Sequence, residues 1–210
     1  RASAILEENL DRARPSGRYE KIAQMSHLLA LSRERRGDLA GAETAWRETI
    51  DNLETALEMA VSEKQRELYE KLMEPLYQLA ALLTSHRRYT AAEELTKRRL
   101  KYMELLGPGE VTVAEVWFDL AELYRIQELF REAGELHLKV LTTRRAVLGK
   151  SHPEVAKSLR AMGQITLGEG DIEEARGFLD TALTQQKEVL GENDPEIAET
   201  LFALGDLSLA

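Results

Sequence analysis

The stretch VLGKSHPEVAKSLRAMGQITLGEGDIEEARGFLDTALTQQKEVL, residues 147–190, decides the fold. It holds two runs of apolar residues at helical spacing, each bounded by turn residues, and much of the chain repeats it. Ala133 and Ala175, Leu120 and Met162, Gly149 and Gly191, and Pro153 and Pro195 are each 42 positions apart. Equal offsets at four unrelated positions mark an internal repeat, and a period of this length belongs to stacked helical pairs.

The first run carries Leu159, Met162 and Ile165. The second carries Ile172, Ala175, Phe178, Leu179 and Leu183. Gly149 stops the preceding helix. Ser151 with Glu154 three residues later predicts a capping box, with Pro153 in the first turn. The run Gly191-Glu192-Asn193-Asp194-Pro195-Glu196 repeats this punctuation, and a last helix over 195–209 follows.

Working toward the N-terminus, the same periodicity predicts helices over 129–148, 111–127 and 88–106, the last closed by Gly107-Pro108-Gly109. Residues 65–86 form another, with Pro75 inside it. An interior Pro costs about 3 kcal/mol, so either the helix bends near Lys71 or a separate helix starts near Pro75. Ala42 and Ala92 are 50 positions apart instead of 42. About two extra turns therefore lie between Asp51 and Leu72, in the helix starting at Leu39, in the next one, or in both. Gly37-Asp38 separates Leu39 from a helix over 18–36. A short helix over 2–13, with Ile5, Leu6 and Leu10 on one side, ends at Pro15-Ser16-Gly17. The expected organisation is an N-terminal helix (1–16) and a repeat region (17–210). The units are 17–64, 65–109, 110–151, 152–193 and an incomplete 194–210.

Composition narrows the function. The formal charge of -9 argues against nucleic acid, since phosphate binding needs a basic surface. With no Cys, a disulfide scaffold, a thiol nucleophile and a zinc ribbon are excluded. No apolar run approaches the ~20 residues of a membrane span. The start at Arg1, without Met, reads as a piece or processed product of a longer protein. The expected location is intracellular, cytoplasmic.

The pattern resembles the tetratricopeptide repeat, in the 42-residue form of kinesin light chain-like proteins. Trp117, Leu120, Ala121 and Tyr124 match the first-helix consensus in full. Leu76, Leu79, Ala80 and Leu83, then Leu159, Met162, Gly163 and Thr166, match in part, as do Leu201, Leu204, Gly205 and Ser208. Ser26, Leu29, Ala30 and Arg33 match least. The second-helix small residue is Ala42, Ala92, Ala133 and Ala175. The resemblance covers roughly Gly17 to Ala210 and implies a right-handed α-solenoid of antiparallel helix pairs, all-α. It implies protein binding. The paired Asn of the kinesin light chain first helix is missing from Trp117–Leu120 and Leu159–Met162, so motor-cargo binding is not carried over. The carboxylate clamp of other members is not supplied by His27, Leu31, Gln78, Glu74 and Tyr77.

No chemistry competes with binding. His27, His86, His137 and His152 have no metal-ligand spacing, and no phosphate loop or nucleophile elbow occurs. His152 reads as a linker or capping residue, and His137 as packing. No enzyme activity, cofactor or metal is expected. Arg87-Arg88, Lys97-Arg98-Arg99 and Arg144-Arg145 form a possible basic ridge on the outer helices.

In this repeat type the first helices line the concave surface. The position three before the small residue is His27, Tyr77, Phe118, Arg160 and Phe202, and neighbouring turns add Glu74, Glu122, Arg125, Lys157 and Gln164. Aromatics are enriched at binding surfaces. Lys157 with Arg160 would take a carboxylate. The alternative is that these rings pack between repeats. A second surface is the open end, where Ile197, Leu201, Leu204 and Leu207 lie unless covered. The leading expectation is a non-enzymatic scaffold holding a peptide or helical segment of another protein in the groove. The alternatives are a peptide-sensing regulatory module of a larger protein, or a structural subunit of a large complex that uses the end and outer surfaces.

Overall fold

A computed structural model describes residues 2–107, 109–191 and 194–208 of the chain. Pro108, Glu192, Asn193 and residue 209 of the expected last helix lie outside the described residues. All described secondary structure is helical: α1 (Ala2–Ala13), a 3-10 turn (Arg14–Ser16), α2 (Tyr19–Glu34), α3 (Leu39–Met59), α4 (Ser62–Ser85), α5 (Tyr89–Leu106), α6 (Glu110–Arg125), α7 (Phe130–Leu148), α8 (Pro153–Gly168), α9 (Ile172–Leu190) and α10 (Pro195–Leu207). They group into two compact units, Arg1–Gly107 and Pro108–Ala210. Within each unit every helix packs on its successor, and in the second unit α8 also packs on α10. Each unit is thus a short solenoid of helix pairs, α2/α3 and α4/α5 in one, α6/α7 and α8/α9 in the other.

The turn inside each pair is one motif used four times. Gly37, Arg87, Glu128 and Gly170 all take positive φ, between 57° and 91°. The next residue's N–H reaches back to the carbonyl five residues earlier: Asp38 to Arg33, Arg88 to Leu83, Leu129 to Tyr124 and Asp171 to Thr166, at 2.9–3.0 Å. This is a Schellman cap, which satisfies carbonyls left over at the helix end. Glycine suits the left-handed position, while Arg87 and Glu128 each occupy it at a cost of about 1 kcal/mol.

Small residues set the closeness of the helices. Ala42, Ala92, Ala133 and Ala175 have no exposed surface. A Cβ on Gly163 would lie 2.7 Å from Leu179 Cγ and 3.1 Å from the Ala175 carbonyl oxygen. Around it Leu141, Val155, Leu159 and Ala182 form one apolar cluster, and Ala175, Leu179, Ala203 and Leu207 the next.

Two open alternatives are resolved and one expectation is corrected. Residues 62–85 form one helix that runs unbroken through buried Pro75, so no separate helix begins there. Pro75 removes one hydrogen bond to Lys71, and burial of Leu68, Leu72, Leu76, Leu79 and Leu83 along the same helix offsets that loss. The extra turns sit almost wholly in α4, which has 24 residues against 16 in the other first helices α6 and α8, while α3 has 21 against 18 in α5 and 19 in α7 and α9. The cap of α8 is His152, not Ser151: its Nδ1 accepts from the Glu154 N–H at 3.2 Å. Asp194 caps α10 in the same way at 2.9 Å. In both cases Pro at the first helical position makes the residue just before it the cap. On α1, Leu10 is buried but Ile5 is exposed, because α2 covers only one flank of this helix.

Candidate functional site

The first helices of the two units present different surfaces. In the first unit α2 and α4 stand apart, and the space between them is a cleft of about 510 Å³. Ala23, Gln24 and His27 come from α2, Glu70, Lys71, Glu74 and Pro75 from α4, and Thr49 and Leu53 of α3 lie beneath. One mouth of the cleft is an ion-pair cluster. Glu20 takes Lys64 and Lys71, the latter at 3.0 Å, and these hydrogen bonds hold its carboxyl below the ordinary range. Toward the other end, His27 stands edge-on to Trp46 at 4.9 Å between ring centres. Burial depresses its pKa and outweighs the opposing pull of Glu74 and Glu34, so the ring is neutral at neutral pH. Glu74 is exposed and accepts a bond from the Gln78 amide at 2.5 Å. Tyr77 is 42% exposed, with the Arg99 guanidinium 5.0 Å over its ring.

In the second unit the corresponding residues are largely engaged with one another. Phe118 is half-buried: His137 stands edge-on to it at 4.9 Å, Arg144 lies 4.9 Å and Lys157 5.1 Å from its centre. Arg144 is itself buried, paired with Glu154 at 2.6 Å and donating to Ser158 Oγ at 2.8 Å. Its burial lowers its pKa, against the raising effect of Glu154, Glu115 and Asp119. Glu122 accepts from His137 Nε2 at 3.0 Å and from Arg125 at 2.8 Å. Burial would raise the Glu122 carboxyl, but these two partners prevail and bring it down to about 2. Arg160 binds Glu196 at 3.0 Å and Glu199 at 2.7 Å across to α10. Gln164 is half-buried on α8, and Phe202 is 73% exposed on α10.

Several sequence expectations change here. Arg160 is not open to a partner carboxylate, because two glutamates of α10 already neutralise it. The signal was present in the spacing: Glu196 and Glu199 lie 36 and 39 residues on, nearly one repeat. Phe118 is a packed ring with Lys157 against it, so the packing alternative holds for that residue. Of the end surface, Ile197 and Leu207 are 2% and 3% exposed, turned inward onto the preceding helices. Leu204 is partly buried against Leu179 and Ala203, and Leu201 is 49% exposed. The supposed basic ridge is broken up by pairing: Arg88 with Glu43 at 2.6 Å, Arg98 with Glu54, and Arg144 as above. Arg98 and Glu54 share a cluster with Tyr102, whose hydroxyl is pushed up to about 12 by burial and by Glu54. The cleft residues Glu20, Gln24, Leu53 and Lys71 were missed, since a cleft depends on helix separation and not on residue type.

Among the described residues no three His, Asp or Glu converge as metal ligands, and no helix is long and apolar enough to cross a membrane.

Residues 112–176 match the family model of the tetratricopeptide repeat. No curated protein sequence matches the chain. Among solved structures the chain is similar to BtubC (BKLC) from P. vanneervenii, at 22% identity and a TM-score of 0.71, over 98% of this chain and 81% of that one. It is similar to the apo form of RapI at 17% identity and a TM-score of 0.68, over 89% of this chain and 49% of RapI, about half that protein's length. It is also similar to nearly identical TPR-like repeats of a putative kinesin light chain from Podospora anserina, at 15% identity and a TM-score of 0.53, over 90% of this chain and 96% of that one. At these identities the structural likeness carries the fold.

Proposed function

We propose that this chain, whose residues 112–176 match the tetratricopeptide-repeat model, is a non-enzymatic scaffold that holds a peptide or helical segment of a partner protein against its first helices. A protein-interaction scaffold is the general role this fold supports. The observation that carries the finer reading is the α2–α4 cleft, about 510 Å³ in volume, within the ordinary range for a binding pocket. Glu74 lies on its wall, and Tyr77 is the exposed aromatic one turn further along α4. In the second unit Lys157, Gln164 and Phe202 remain candidate contacts, with Leu201 beside Phe202. Phe118, Glu122, Arg125 and Arg160 act there as the frame that holds the helices.

The test is to select binders from a displayed random-peptide library on the intact chain, then to map them by hydrogen exchange. The reading expects protection concentrated on α2 and α4, with far smaller changes on α5 and α7. Protection confined to the second helices, or no enriched peptide, would overturn it.

A further inference from the structure

We propose that the α2–α4 cleft is a pocket for a cationic side chain, an arginine or lysine carried by the partner peptide, with Glu74 as its counter-ion. The inference rests on the scaffold reading above and names the chemistry of its ligand.

The charges lining the cleft do not cancel evenly. Glu20 is satisfied by Lys64 and Lys71, and Lys71 is shared with Glu67, so that end is neutralised. Glu70 has Arg66 at 3.5 Å on the next turn. Lys21 lies at the Glu20 end, six residues before His27, roughly 9 Å along the helix. Glu74 differs from these: among the described residues its hydrogen bond is to the neutral amide of Gln78, and no cation stands within ion-pair distance. Its neighbour His27 is a neutral ring, held edge-on by Trp46, and supplies no countercharge at neutral pH. One carboxylate without a cation thus faces a cleft in which Ala23, Leu53 and Pro75 offer apolar surface.

That combination fits a long side chain with an aliphatic stem and a charged head. Lys and Arg lay their methylenes along apolar surface and carry the charge to a polar end. A guanidinium or ammonium at Glu74 makes a charge-assisted bond, stronger than the neutral one it joins. An anionic head seated at the Glu74 end would be repelled by that carboxylate, since the cations of the cleft, Lys21 and Lys71, stand toward Glu20.

The experiment compares peptides selected on the intact chain for affinity to the Glu74→Gln and Glu8→Gln variants. Glu8, exposed on α1, changes the net charge equally and lies away from the cleft. The expected result is a fixed Arg or Lys position in the enriched peptides. Affinity should fall about tenfold in Glu74→Gln and less than twofold in Glu8→Gln. Replacing that peptide residue by norleucine should cost a similar factor on the intact chain and little on Glu74→Gln. Peptides that protect α2 and α4 but lack a basic position, or that lose equally with both variants, would overturn the cation pocket and leave the scaffold reading standing. Peptides that leave α2 and α4 unprotected would overturn both.

Discussion

The α2–α4 face and the α8–α10 face are built from the same repeat position, yet one is open and the other closed. Between α8 and α10 the helices touch, and Arg160 spans them to Glu196 and Glu199. Between α2 and α4 there is a cleft, and Glu74 looks into it without a cation. Phe118 in the second unit is enclosed by His137, Arg144 and Lys157, whereas Tyr77 in the first has a single cation over it and much free surface. A conspicuous side chain on a binding-type helix is therefore not by itself a binding residue. It is available to a partner only where its own protein has left its charge or its ring unmet.

The largest test of this contrast is Arg144→Ala. Arg144 is buried and serves both Glu154 and Ser158, so its removal should cost the second unit about 2–3 kcal/mol in urea unfolding. Peptide affinity at the α2–α4 cleft should be unchanged. A loss of less than 0.5 kcal/mol would show that the closed face does not depend on this ion pair.

Acid should separate the faces as well. The folded Glu122 carboxyl titrates at about 2, below its unfolded value near 4.3. A depressed pKa contributes stability that is complete above about pH 5 and drains as the pH falls toward 2. Stability should drop on the order of 2 kcal/mol between pH 5 and pH 2.5 through this group. Glu122→Gln should flatten that part of the curve, and an unaltered acid limb would reject the assignment.

Arg160→Ala sharpens the comparison further. It leaves Glu196 and Glu199 without their shared cation and should destabilise by about 1 kcal/mol, since both glutamates are partly exposed. Screening in high salt should narrow the difference. If Arg160→Ala instead abolished peptide selection without loss of stability, the second unit would be the binding face.

The smallest effects concern what the two units share. Arg87→Gly and Glu128→Gly should each stabilise by about 0.5–1 kcal/mol, by relieving the left-handed strain in the Schellman turn. Equal gains in thermal unfolding would confirm one turn design in both units. A destabilised variant would mean that the side chain, not the backbone, governs that turn.

Sequence periodicity made the helices legible because burial of one stripe per helix imposes its spacing directly on the chain. The buried alanines at 42, 92, 133 and 175 and the tight glycine at 163 follow from the same cause: two helix axes come close only where side chains are small. The elongation, carried mainly by α4, was bounded by a count of residues, but the count could not say which helix held it. The cap at His152 was displaced by one residue from the expected Ser151, because Pro153 fixes the start of α8.

What the sequence determined by itself was the all-α repeat, the turns and the interior, all of which depend on contacts between residues near in the chain or one period apart. What only the tertiary structure decided was which first-helix residues are free. Arg160 and Phe118 find their partners 36 to 39 and 19 to 39 residues away, and Glu74 finds none among the described cations. Pairing at that range depends on the separation of α2 from α4 and of α8 from α10. That separation is a sum of packing contacts over whole helices, which no local stretch of sequence specifies.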